Sequence, residues 1–322
     1  MTTVRLLGHR WLHTFWTTRS PLLFSSAVYA VMIVLFTAGL VLDDRMITGA
    51  PAWLKPLKFA VSSLMYSLTL LWILRFVRHR PRLVNVVSWA NGAALLAELS
   101  IILFQAARGT TSHFNVTSPL NRTLYLIMAG AVGVLWLTHL IVTLVVVSQR
   151  FERPSFALSL RLGLTLTLIG MSLGFLMVTP LGTLLASGQG VKPPLLPTGI
   201  IGAHSIGVPD GSPGLPLVGW STVGGDLRVG HFIGLHALQL LPLFAWLLTR
   251  RPRFSETQRV RLVWTTGLGY LGVMLLTTWQ ALRAQPLTAP DGLTLSVLAG
   301  LVIMVTGLAT VISHPARAGK AH

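Results

Sequence analysis

Runs of apolar residues about as long as a bilayer core is thick, separated by short polar stretches, recur eight times along the chain. About 20 consecutive apolar residues are what a helix needs to cross the hydrocarbon core. The pattern therefore predicts membrane-spanning helices at Leu22–Leu42, Pro56–Val77, Leu83–Ala107, Thr123–Ser148, Phe156–Thr179, His231–Thr249, Leu262–Leu282 and Leu293–Ser313. The expected fold is an all-α integral membrane protein with eight transmembrane helices. One connection is unlike the rest. Residues 180–230, between the fifth and sixth spans, are rich in Gly and Pro yet carry Leu195, Leu196, Ile200, Ile201, Leu215, Leu217 and Trp220. That apolar content argues against a solvated linker, so this loop is read as an ordered lid.

The third and seventh spans contain related segments. Trp89–Arg108 laid over Trp264–Arg283 without a gap shares Trp, Gly, Leu, Gln, Ala and Arg at the same six positions. The second and sixth spans are followed by Arg80-Pro81-Arg82 and Arg251-Pro252-Arg253, and the fourth and eighth share Ala129-Gly130 and Ala299-Gly300. The chain thus divides into two four-helix repeats, residues 20–150 and 154–315. Four spans is an even number, so the repeats are expected to have parallel orientation. Before them, residues 1–19 mix Trp11, Phe15 and Trp16 with Arg5, His9, Arg10 and His13, the composition of an interfacial amphipathic segment. Residues 316–322 form a short basic tail.

Composition agrees and adds orientation. Only 10% of the 322 residues are charged and 52% are hydrophobic, against about 25% charged in a soluble domain. The net charge of +17 would suit nucleic acid if it were spread over one face. It is not. With the N-terminus inside, the cytoplasmic segments hold 17 Lys and Arg against 2 acids, and the opposite side 8 against 6. This is the positive-inside distribution. It places both termini in the cytoplasm, the long loop outside and the protein in a bacterial cytoplasmic (inner) membrane. The partners expected are the bilayer and a small-molecule or lipid ligand, not nucleic acid. The absence of cysteine excludes iron–sulfur clusters, thiolate metal sites and cysteine nucleophiles. No H-E-x-x-H or Walker sequence occurs.

Candidate chemistry lies in the polar residues of the spans. Asn91, Glu98 and Gln105 recur every seven residues and so share one helix face. A carboxyl at mid-span costs about 2.5 kcal/mol or more against lipid, so Glu98 must face protein or water, as a proton carrier or a cation's partner. His139 lies in the inner half of the fourth span. In the sixth, His231 and His236 are five residues apart, about 140° on the helical wheel, which is wrong for a metal pair; His236 and Gln239 share a face. The expected catalytic residues are Glu98, His231 and His236. The expected ligand-binding residues are Lys58, Gln105, Arg108, His113, Gln239, Gln280 and Arg283. No metal ligands are assigned, and haem, quinone or metal stay open as cofactors. Glu98 aligns with Val273 and Asn91 with Thr266, so the unshared polar residues are the better candidates for chemistry, and the shared Gln and Arg for architecture. A cationic pocket with amide donors suits an anionic or carbonyl-bearing ligand, such as a lipid head group or a quinone. The expected function is a membrane enzyme or binding protein with an outward-facing pocket. The alternative is a secondary transporter of a small anionic solute, working between the two four-helix halves.

Overall fold

The computed structural model describes residues 21–178 and 198–314. The expected interfacial segment 1–19, the 180–197 part of the lid and the tail 316–322 lie outside the described residues. Among those described, eight helices are long and apolar enough to cross a membrane: α1 Pro21–Leu42, α2 Leu54–Leu74, α3 Pro81–Ala107, α4 Pro119–Ser148, α5 Pro154–Leu173, α6 Arg228–Thr249, α7 Glu256–Leu282 and α8 Gly292–Ser313. A 3-10 turn, Gly174–Met177, prolongs α5. The chain is a multi-pass membrane protein.

The helices begin earlier than apolar counting predicts, most of all α7, where a cap and not hydropathy sets the start. α7 begins six residues before Leu262. Ser255 Oγ accepts from the Gln258 N–H at 3.2 Å, and the Gln258 side chain accepts from the Ser255 N–H at 2.9 Å. This capping box satisfies two otherwise orphaned donors and stabilises a polar first turn. Pro81 and Pro154 occupy the first turns of α3 and α5, where a missing N–H costs nothing.

Burial runs opposite to that of a soluble protein. Phe24, Val34, Leu42, Ile303 and Val311 are exposed, whereas Ser25, Ser67, Asn91, Glu98, Gln105, His139, Ser159 and Thr167 are buried. Lipid solvates the apolar exterior, and polar groups must find partners inside.

The chain forms two compact units. The first holds α1–α3, α4 as far as Val142, and the short segment Thr198–Ile200. In it α1 packs on α2 and α3, and α2 on α3. The α1–α2 link is a hairpin, β1 Met46–Ile47 paired with β2 Ala50–Pro51. Its turn residues Thr48 and Gly49 both have positive φ, 48° and 72°, the backbone that a tight hairpin turn demands.

The second unit holds the end of α4 and α5–α8. Here α5 packs on α6 and α7, α6 on α7, and α7 on α8. The α5–α6 crossing depends on two glycines: a Cβ on Gly170 would lie 2.6 Å from Gly234 Cα. Small residues let helices approach this closely, and their backbones then gain polar contacts. Thr167 Oγ1 donates to the Gly234 carbonyl at 3.2 Å, and the Tyr270 hydroxyl to the Ile233 carbonyl. Before α6, β3 Ser205–Ile206 pairs with β4 Gly225–Asp226. Each short sheet closes in the same way, by Ala52 N–H donating to Arg45 O and Leu227 N–H to His204 O, both at 2.9 Å.

Candidate functional site

In the first unit the seven-residue ladder on α3 meets a different set of partners at each step. Successive steps are about 10 Å apart at 1.5 Å per residue. At the level nearest the N-terminus of α3, Asn91 is fully buried. Its amide donates to Val87 O at 2.8 Å and Thr138 Oγ1 at 3.0 Å. Its Oδ1 is left to accept from the Tyr66 hydroxyl, 3.4 Å away, and that oxygen also lies 3.4 Å from His139 Nδ1. The tyrosine proton is used toward Asn91, so the neutral arrangement has His139 Nδ1–H donating to Tyr66.

At the middle level stands Glu98, 4% exposed and about 13 Å from the end of α3. Its Oε1 lies 3.3 Å from His113 Nε2. Its Oε2 is buried with no hydrogen-bond partner among the described residues. Lys55, at the start of α2, is within electrostatic reach. His113 comes from the α3–α4 loop and is flanked by the rings of Phe59 at 5.4 Å and Phe114 at 6.0 Å. Its Nδ1 lies 3.1 Å from Ser112 Oγ. Lys58 is half-buried one turn beyond Lys55.

At the third level Gln105 joins the scaffold of that loop. Its Nε2 donates to Asn121 Oδ1 at 3.0 Å and Thr111 O at 3.4 Å, and its Oε1 accepts from Arg108 at 2.6 Å. Arg108 also donates to Asn121 at 3.1 Å and lies over the Phe104 ring. Asn115 fastens the far side of the loop: Nδ2 donates to Thr111 O, and Oδ1 accepts from the Thr117 N–H, both at 3.1 Å, and from the Thr117 hydroxyl at 2.6 Å. Val116 N–H donates to Gly199 O at 2.8 Å, so Thr198–Ile200 lines the loop. On its other flank Arg45 donates to Ala107 O at 3.0 Å and is held by Asp43. The Arg45 and Trp53 donors keep the Asp43 carboxyl well below the usual carboxylate range.

The second unit holds the remaining expected residues, in three separate places. His231 Nδ1 lies 2.7 Å from Gly170 O. A carbonyl only accepts, so Nδ1 carries the proton and the ring fastens α6 to α5. His236 packs at 4.3 Å on the edge of Phe232, which meets Trp220 at 5.5 Å, and hydrogen-bonds Gln239. Gln280 donates to Pro286 O at 2.8 Å, while Arg283 pairs with Asp291 and stacks on Trp279. In the loop before α6, burial alone would push the Asp210 carboxyl up. The His204 ring at 2.7 Å and the His204 and Ser205 amides outweigh that and hold it well below the usual range.

The structure thus joins Glu98 to His113, Gln105 to Arg108, and His236 to Gln239. Sequence reasoning passed over Ser112 and Tyr66. A serine beside a histidine and a tyrosine in a span are too common to stand out; only the fold shows that each reaches an imidazole. Among the described residues no group of three or more His, Asp or Glu could hold a metal ion. A cleft of about 410 Å³ at the other end of the first unit is lined by Leu74, Val77, His79, Arg80, Val84 and Ser88 and does not include Glu98. No protein-family model, curated protein or solved structure matches the chain, so the chemistry of the site has to be argued from its geometry.

Proposed function

We propose that the protein is a membrane enzyme or binding protein of the bacterial inner membrane, with its site on the extracytoplasmic side around Glu98 and His113. The observation that carries this reading is the buried Glu98 carboxyl, with one oxygen on an imidazole and the other without a partner among the described residues. A buried polar atom left open costs about 1–3 kcal/mol, and a bound ligand or an exchangeable proton removes that cost. The basic groups nearby, Lys55 and His113, suit an anionic or carbonyl-bearing ligand, a lipid head group or a quinone among them. His231 and His236 are poor haem or metal ligands as placed, one bonded to a carbonyl and the other packed against Phe232 and bonded to Gln239. The test is native mass spectrometry with an absorption spectrum on protein purified gently from its own membrane. A bound small molecule in the wild type, absent from equally folded Glu98→Gln, is expected. Equal occupancy in both would refute the site.

The orientation belongs to the same reading, with both termini cytoplasmic and the 108–118 and 198–227 segments outside. Because the chain has no native cysteine, single cysteines test it cleanly. Leu217→Cys should react with an impermeant maleimide on intact spheroplasts and Arg78→Cys should not. Residues 20–150 and 154–315 are read as two copies of one four-helix repeat. This is supported by α3 and α7, both 27 residues long, and by their matching exits.

The second reading, a transporter of a small anionic solute, gains support from the Tyr66–Asn91–His139 cluster. It supplies polar groups about 10 Å below Glu98, where a purely outward-facing site needs none. Acetate flux into proteoliposomes that is lost in both His139→Leu and Glu98→Gln would favour it over the first.

A further inference from the structure

We propose that Ser112, His113 and Glu98 form a nucleophilic triad that cleaves an acyl ester. The proposal rests on the Glu98–His113 site above and names its substrate class and reaction.

The serine hydroxyls of the helices mostly bond back to carbonyls of their own turn, as in Ser26, Ser88, Ser159 and Ser172. Ser112 is different. It is buried, and its Oγ lies 3.1 Å from His113 Nδ1. On the other side of the ring, Nε2 lies 3.3 Å from Glu98 Oε1. When Glu98 is ionised it can only accept, so Nε2 then carries the hydrogen and Nδ1 presents its lone pair. The Ser112 O–H must then donate into Nδ1. The Ser112–His113 hydrogen bond and the His113–Glu98 ion-pair contact follow one another, the order in which a general base takes a nucleophile's proton while a carboxylate orients the ring.

The backbone is shaped to hold this line. Phe114 has φ 62°, left-handed and costly for a bulky residue. Burial of its ring, which meets Tyr125 at 6.5 Å, keeps it there. The turn it makes sends the His113 ring back onto α3. The Asn115 bonds to Thr111 and Thr117 fix the loop on both sides of the turn. Strain of this kind, held in place by its surroundings, gathers at functional sites.

The reaction follows from those atoms. Ser112 Oγ attacks the ester carbonyl carbon as its proton passes to His113 Nδ1, and the carbonyl π pair moves onto oxygen. Collapse breaks the bond to the alcohol, which leaves with the proton from Nδ1. Water then attacks the acyl-serine with His113 again as base, releasing the carboxylic acid and restoring the serine. The sum is ester plus water to acid plus alcohol. Glu98 is a positioning residue, accepting from Nε2 and balancing the imidazolium of each half-reaction. The setting, at a helix exit beside Phe59, Phe114 and Tyr125, suits an ester with an apolar acyl chain.

The test is labelling of the purified full-length chain with diisopropyl fluorophosphate, which phosphorylates an activated serine, followed by peptide mapping. A single adduct on Ser112 is expected. It should be absent from Ser112→Ala and formed about 10²–10⁴-fold more slowly in His113→Gln. Glu98→Gln should slow it as well, with Glu98→Asp recovering part of the rate, a rescue that a merely structural role would not give. No adduct on folded wild-type protein, or an adduct that survives Ser112→Ala, overturns the triad. If Ser112→Ala keeps the ligand that Glu98→Gln loses while the wild type takes no adduct, the binding site stands and the triad falls.

Discussion

The exits of α3 and α7 are built alike, while the helices leading to them differ at one decisive position. At both exits a glutamine donates to the carbonyl six residues on, Thr111 or Pro286. The next residue but two is an arginine lying over the aromatic ring four residues back, Phe104 or Trp279. It reaches forward to the start of the following helix, to Asn121 or to Asp291 and Thr294. The chain then turns through a positive φ, 72° at Gly109 and 58° at Ala284. This left-handed step satisfies orphaned carbonyls at a helix end. Seven residues before each glutamine the two helices differ, because Glu98 stands where the other helix has Val273. The comparison separates two roles. The Gln-Ala-x-Arg exit is a structural lock in both helices, and the polar group present in one helix and not the other is the one on which the proposed chemistry rests.

The largest expected effect comes from the contact that distinguishes the packing of the second unit. Gly234→Leu forces a side chain into the Gly170 backbone. Overpacking costs about 1–3 kcal/mol and occasionally more, and here the obstacle is main chain. Monodisperse protein should be lost on size exclusion in mild detergent, while Gly130→Leu, where a Cβ meets nothing within 4 Å, should behave as wild type. A well-behaved Gly234→Leu would mean that the α5–α6 crossing is not as close as described.

Next come the locks themselves. Gln105→Leu and Gln280→Leu each remove a buried side chain's hydrogen bonds, for a loss of about 1–3 kcal/mol. Unfolding in mixed SDS micelles should show similar losses. A loss in only one would break the equivalence of the two exits. Replacing both partners, Glu98→Val together with His113→Leu, should change stability by less than about 1 kcal/mol, because replacing a buried polar pair by apolar packing is often neutral or stabilising. It should nevertheless abolish ligand binding. A large destabilisation would recast Glu98 as a structural residue.

The smallest effect concerns the two hairpins, where Arg45 is held by Asp43 and His204 by Asp210. Asp210 titrates below its unfolded value of about 3.9. Its stabilising contribution is therefore complete above that value and disappears as pH falls through the folded one. Amide exchange at His204 and Ser205, whose N–H groups bond Asp210, should stay slow at neutral pH and lose protection only in strong acid. Asp210→Asn should show the loss at every pH. Protection lost already near pH 6 would contradict the assigned pair.

Much of this was legible in single residues and little in their combinations. Eight spans followed from apolar run length, a local property that lipid enforces directly. Glu98 was conspicuous because a carboxyl in mid-span has to be accounted for. His113 was named as well, but nothing in the sequence joined it to Glu98, fifteen residues away across a loop. The helix starts were misjudged where capping, as at Ser255, outweighed hydropathy.

By itself, then, the sequence determined how many helices cross the membrane, which faces must avoid lipid, and that Glu98 needs a partner. Only the tertiary structure decided who that partner is. The reach of His113 depends on the left-handed turn at Phe114, the Asn115 bonds and the Gln105–Arg108–Asn121 lock acting together. Ser112 became a candidate nucleophile, and Tyr66 a bridge between Asn91 and His139, for the same reason. Hydrogen bonds between distant segments are set by the path of the backbone, which no local periodicity encodes.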